Sequence, residues 1–157
     1  MDQRLRRRAW RPGPLGAGRV GIAALSLGLG EAALALGAAY AEERKLFGKS
    51  LSDFQNTQFV LADCRTELDA AWLLTLRAAR LLDEGDKAAS ETSMAKLFTT
   101  EAVGRVVDRM RADPRRLRLL ARLRHRAHLS RRARHAHLRG TSEVQRLVIA
   151  RGFLSGA

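Results

Sequence analysis

"AYAEERKLFGKSLSDFQNTQFVLAD", Ala39–Asp63, holds the end of one helix, a break and the start of another. From Gly18 onward the chain leading into it is rich in Ala and Leu, and within that run polar residues first gather in "YAEERK". "LFGKSLSDF" then interrupts the helical pattern, and Gly48 reads as the helix stop. "SLSDFQ" (Ser50–Gln55) offers a Ser or Asp as the N-cap of a second helix, because short polar side chains accept from the free N–H groups of a first turn.

Outward from this break the chain reads as helices joined by short turns. Before it, Gly18–Lys45 forms a first helix with Ile22, Leu25, Leu29, Leu36 and Tyr40 near a 3.6-residue period. Gly28, Gly30 and Gly37 lack side chains and permit close helix packing, at some cost in propensity. After the break, Phe54, Phe59, Leu61, Leu68, Trp72, Leu76 and Leu81 form an apolar stripe that runs to Leu82. "DEGDKAAS" is a turn, and a third helix spans Ser90–Met110 with Met94, Leu97, Phe98, Ala102, Val103 and Val106 facing inward. A short fourth helix lies in "TSEVQRLVIARGFL". With almost no strand signal, the expected fold is all-α, an antiparallel four-helix bundle whose last quarter is irregular.

Charge divides the chain differently. The net charge of +13 comes from two blocks: residues 1–14 carry five arginines and one acid, and residues 111–140 carry eleven arginines and one acid. The remainder is close to neutral, so the chain is a near-neutral bundle with two basic inserts, which as charge blocks read as tails or solvated arms. Residues 1–17 are expected to be a disordered basic tail and 18–157 the bundle. The arginines followed by an apolar run imitate an export signal, but Glu31 sits inside that run, where a charge costs a membrane segment about 2.5–3.5 kcal/mol. A cytoplasmic protein without a membrane partner is expected. The single Cys64 excludes an internal disulfide and reads as a buried, inert thiol.

The opening stretch also resembles a known family. From Tyr40 to Asp63 the chain is similar to the acyl-CoA dehydrogenase phrase Y-A-x-E-R-x-x-F-G-x-x-[LI]-x-x-F-Q-x-x-Q-F-x-L-A-D. "TSMAKLF" (Thr92–Phe98) and Gly140–Arg151 match two further motifs of that family's C-terminal helical domain, and the resemblance covers Gly18–Met110 and Gly140–Leu154. It implies an enzyme that binds FAD between subunits and oxidises an acyl-CoA to the 2,3-enoyl-CoA. A glutamate takes the α-proton, the flavin the β-hydride, and an electron-transfer flavoprotein the electrons. It also implies a homodimer or homotetramer. By the same resemblance Arg44 reaches the FAD pyrophosphate of a neighbouring subunit, a role suited to a guanidinium fork. Phe47 packs near the adenine, Gln55 and Gln58 lie near the cofactor, Thr141 and Glu143 hydrogen-bond it, and Arg19 neighbours the substrate site. Taken alone, Arg44 and Lys45 read as cations complementing a helix C-terminus.

Residues 111–140 depart from the family. The expected glycine loop, V-Q-I-H-G-G-Y-G, lets backbone approach the cofactor phosphates. Here the segment has the right length and the wrong residues. "RADPRRLR" (Arg111–Arg118) can be encoded by codons that, read one base along, give V-Q-I-H-G-G-Y-G, and the whole segment to Gly140 fits such an out-of-frame reading, with the frame returning at Thr141. "LRRRAWRPGP" (Leu5–Pro14) shifts in the same way to F-A-V-A-L-G-G-P-D. The family's catalytic glutamate then falls at Arg139, whose guanidinium stays protonated and cannot act as a base. Gly18 stands where some relatives place that base on the first helix, so no catalytic residue is expected. His125, His128, His135 and His137 are accounted for by the shifted frame rather than by a metal site.

The expectation is thus an acyl-CoA dehydrogenase C-terminal domain, inactive as this chain, with FAD binding impaired. The alternative is a small basic helical module holding nucleic acid or other polyanions through the arginine-rich arm, with salt-sensitive affinity. No aromatics interleave in that arm to stack bases, so no specific nucleic acid is expected.

Overall fold

The computed structural model describes residues 14–111 and 140–155, and among these described residues there are four helices. They are α1 (Pro14–Glu43), α2 (Gln55–Asp83), α3 (Ala89–Arg111) and α4 (Ser142–Ser155). Between α1 and α2 lie a hairpin of two-residue strands, β1 (Lys45–Leu46) and β2 (Lys49–Ser50), and one turn of 3-10 helix, Leu51–Asp53. α1 begins at Pro14 because a first helical residue needs no N–H and proline already has the required φ. Residues 14–17, expected in the tail, are therefore helix, while 1–13 and the arginine-rich segment to Arg139 lie outside the described residues.

The glycines set the helix order. Gly16 faces Leu82 and Thr92, Gly30 faces Leu68 and Val103, and Gly37 faces Met110. α1 and α3 thus run parallel, with α2 antiparallel to both. A Cβ at Gly30 would stand 2.7 Å from Leu68 Cδ2 and 2.9 Å from Val103 Cγ2, and one at Gly37 would overlap Met110 Sδ. The backbones are this close only because those side chains are missing. α4 returns antiparallel along the first half of α3, with Gly152 against Ser90 and Arg146 paired to Glu101 at 2.8 Å.

The core contains Leu27, Leu34, Leu68, Val103, Val106 and Met110. Small and polar residues complete it: the buried face of α2 is Cys64, Leu68, Ala71, Thr75, Ala78 and Leu82. The stripe expected from side-chain size lies elsewhere. Of its members only Leu68 is fully buried, Phe59 and Trp72 are exposed, and on α1 Leu25 is exposed as well. On α3, Ala102, Val103 and Val106 are buried as expected, whereas Met94, Leu97 and Phe98 are half-buried. Close helix approach selects small side chains for the seams, and the bulky apolar ones are displaced to outer faces.

Two turns explain the helix ends. After α2, Gly85 (φ 91) lets Asp86 N–H reach Leu81 O at 2.9 Å and Gly85 N–H reach Leu82 O at 3.2 Å, the Schellman pattern that satisfies last-turn carbonyls. After α1, Gly48 is not the helix stop. α1 ends at Glu43, and Phe47 (φ 51) and Gly48 (φ 78) are the two central residues of a hairpin pairing Lys45 with Ser50 and Leu46 with Lys49. Positive φ at both positions is the signature of a type I′ turn.

Candidate functional site

Two of the expected site residues, Arg44 and Phe47, lie at the hairpin. Arg44 follows α1 directly: its N–H donates to Tyr40 O at 2.9 Å, and its carbonyl accepts from Leu51 N–H at 2.7 Å. Phe47 occupies the tip, 94% exposed, in a left-handed conformation that costs a bulky L-residue on the order of 1 kcal/mol. Lys45 and Lys49 flank it, both exposed. Gln58 Nε2 donates to Ser52 O at 3.1 Å, and Gln55, the first residue of α2, is exposed.

Ser50 fixes this end. Its hydroxyl lies 2.8 Å from Ala41 O and 2.9 Å from Glu42 O, where it serves carbonyls of the last turn of α1. Its N–H donates to Asp53 Oδ2 at 3.0 Å, and its Oγ lies 2.8 Å from Ser52 Oγ. The capping reading of "SLSDFQ" does not reach this role of Ser50 on α1, since its carbonyl partners precede it by eight and nine residues and only the reversal of the hairpin brings them together.

A second group gathers where α3 packs against both α1 and α4. Arg19 is buried, 6% exposed, and its Nε has no hydrogen-bond partner. Burial lowers the affinity of its guanidinium for a proton below the usual arginine value. Lys96 is fully buried, and its Nζ donates to Gly140 O at 2.9 Å. Its pKa is lowered first by burial; Glu101 and Glu143 counter this, and the Arg19 charge adds to it. Gly140 (φ 108) leads into Thr141, whose carbonyl accepts from Gln145 N–H at 3.1 Å to open α4. Glu143 is exposed, and its carboxylate lies 3.8 Å from Arg146. Lys96 and Gln145 were not singled out from the sequence; a lysine inside "TSMAKLF" gives no local sign of complete burial.

The fold therefore gathers Arg44, Phe47, Gln55 and Gln58 at one end, and Arg19, Thr141 and Glu143 near the other. It does not bring the two groups together: from Arg19 to Arg44 the axis of α1 runs about 37 Å at 1.5 Å per residue. Arg139 and the four histidines lie outside the described residues. Elsewhere, charge ties the helices together. Arg65 bridges Glu31 on α1 at 2.7 and 2.8 Å, and Glu67 on α2 accepts from Arg105 (2.9 Å) and Arg109 (2.8 Å) on α3. Cys64 is buried beneath that second pair, and burial raises the pKa of its thiol. A groove between α1 and α2 has Leu27 and Gly28 in its floor, Trp72 as a wall and Glu31, Arg65 and Asp69 at its rim.

Residues 12–154 match the sequence profile of the family described as acyl-CoA dehydrogenase, C-terminal domain. A probable acyl-CoA dehydrogenase of Bacillus subtilis is 40% identical over 158 residues, covering 89% of this chain and 37% of its own length. A caffeyl-CoA reductase–Etf complex subunit of Acetobacterium woodii is 46% identical over 87 residues, 55% of this chain and 23% of that protein. Among solved structures, the butyryl-CoA dehydrogenase of Megasphaera elsdenii superposes with a TM-score of 0.75 at 30% identity, covering 89% of this chain and 37% of that one. The chain thus spans about a third or less of the length of these relatives.

Proposed function

Since the chain belongs to the acyl-CoA dehydrogenase family, matching its C-terminal domain, we propose that it is the helical, cofactor-facing part of a flavin enzyme that oxidises an acyl-CoA to the 2,3-enoyl-CoA, and that this polypeptide is inactive by itself. The observation that carries the reading is the separation of the two residue groups. A cofactor touched by both must be reached from two chains or by further domains, because one copy holds them about 37 Å apart along α1.

The hairpin suits such a ligand. An exposed aromatic face at Phe47 can take a base, and the Arg44 fork with Lys45 and Lys49 beside it can take a pyrophosphate. Gln55 and Gln58 stand behind it on α2, and Gln58 already braces Ser52. At the other end, the Thr141 hydroxyl and the Glu143 carboxylate open α4, where a hydroxyl can donate to a ligand and a carboxylate can accept from one. FAD, when bound, supplies the acceptor for the hydride leaving the substrate. The chain's own deficit is the base. Removing a proton next to the thioester carbonyl needs a carboxylate, and the sequence has arginine at position 139. An electron-transfer flavoprotein and further copies of the chain are the partners the reading implies. The Acetobacterium relative, whose name places it in an Etf complex, supports the first.

Two measurements test this. The purified chain should be colourless and should not dehydrogenate acyl-CoA substrates; stoichiometric bound flavin, or turnover by the chain alone, overturns the inactive reading. The coding DNA, read in all frames, should contain the glycine loop and the missing glutamate one base over between residues 111 and 140; its absence from every frame overturns the account of the base.

A further inference from the structure

Lys96 is the largest fully buried side chain among the described residues, and lysine is among the residue types least often buried without a partner. Its ammonium meets the carbonyl of Gly140, 44 residues away, just ahead of Thr141 and Glu143, the residues at the start of α4 assigned to the cofactor. Gly140 is itself constrained. Its φ of 108 lies where L side chains are strained, and a Cβ there would stand 2.6 Å from Gln145 Nε2. Gln145 is fully buried and leaves no room for a side chain at Gly140, while Lys96 takes the Gly140 carbonyl. Arg19, a second buried cation, acts on the same ammonium, and Glu101 and Glu143 offset it. An apolar residue at 96 would fill the seam without gathering two cations there. The lysine supplies what an alkyl chain cannot: a donor fixed on one particular carbonyl.

We propose that Lys96 is a positioning residue: by holding the Gly140 carbonyl, its ammonium fixes the turn from which Thr141 and Glu143 are presented to the ligand. The role assigned to Thr141 and Glu143 rests on the proposed function, whereas the positioning itself does not. Hydrogen exchange followed by mass spectrometry on the purified 157-residue chain tests it without flavin, so a colourless protein has no bearing on the outcome. Lys96→Met keeps the length of the side chain and removes the donor. It should speed exchange in α4 by on the order of tenfold or more, as expected for losing a bond from a charged donor, and leave α1–α3 protected. In a Cys64→Ala background, Lys96→Cys should show the same loss, and aminoethylation of that cysteine, which rebuilds a lysine-like ammonium, should restore protection. Gly140→Ala should reproduce the local loss with Lys96 intact. Unchanged α4 exchange in Lys96→Met, loss spread equally over all four helices, no recovery after aminoethylation, or full α4 protection in Gly140→Ala would each overturn the proposal.

Discussion

The two ends of this bundle hold the residues proposed to meet the cofactor by opposite means. At the hairpin the backbone does the holding: Ser50 serves the last carbonyls of α1, a type I′ turn fixes the tip, and Phe47 stands almost wholly in solvent. Where α3 packs against α1 and α4, side chains do it, with two cations inside the protein, one of them a lysine on a remote carbonyl. Both arrangements cost stability. The hairpin keeps a phenylalanine at φ 51, and the buried seam keeps a guanidinium whose Nε is unpartnered. Features that cost folding energy and return nothing within one chain are suited to contacts that the chain does not make alone.

That comparison can be sharpened by urea unfolding of single variants. Leu68→Ala, in the core shared by both ends, sets the scale: it should destabilise the chain by about 2–5 kcal/mol. Arg19→Met should go the other way, adding about 1–3 kcal/mol because a buried donor without a partner is removed; a loss of stability would mean that the guanidinium is better satisfied than its surroundings indicate. Ser50→Ala should cost about 1 kcal/mol through the freed α1 carbonyls. Phe47→Gly should leave stability unchanged or raise it by up to about 1 kcal/mol, since glycine adopts positive φ freely. A destabilised Phe47→Gly would break the contrast, by showing that the ring already packs on its own chain.

Much of this was legible in the residues. The four helices and the family follow from pattern and motif, because long amphipathic or alanine-rich runs leave few alternatives. Gly48 misled because glycine marks both helix ends and I′ turns; the second reading also needs positive φ at Phe47, which nothing about phenylalanine announces. The inward faces misled because size was taken for burial. Gly30 and Gly37 bring α1 against its neighbours, so Ala71, Thr75 and Ala78 fill the seam while Trp72 and Phe59 turn outward. Lys96 could not be found at all, since its partner is 44 residues away across a segment whose sequence has departed from the family pattern.

Trp72 stands half in water beside the groove that Arg65 bridges. An indole in that position is a built-in optical gauge. Its emission should shift to shorter wavelength whenever another domain or copy settles over the α1–α2 face, and should stay put when only the hairpin end is engaged.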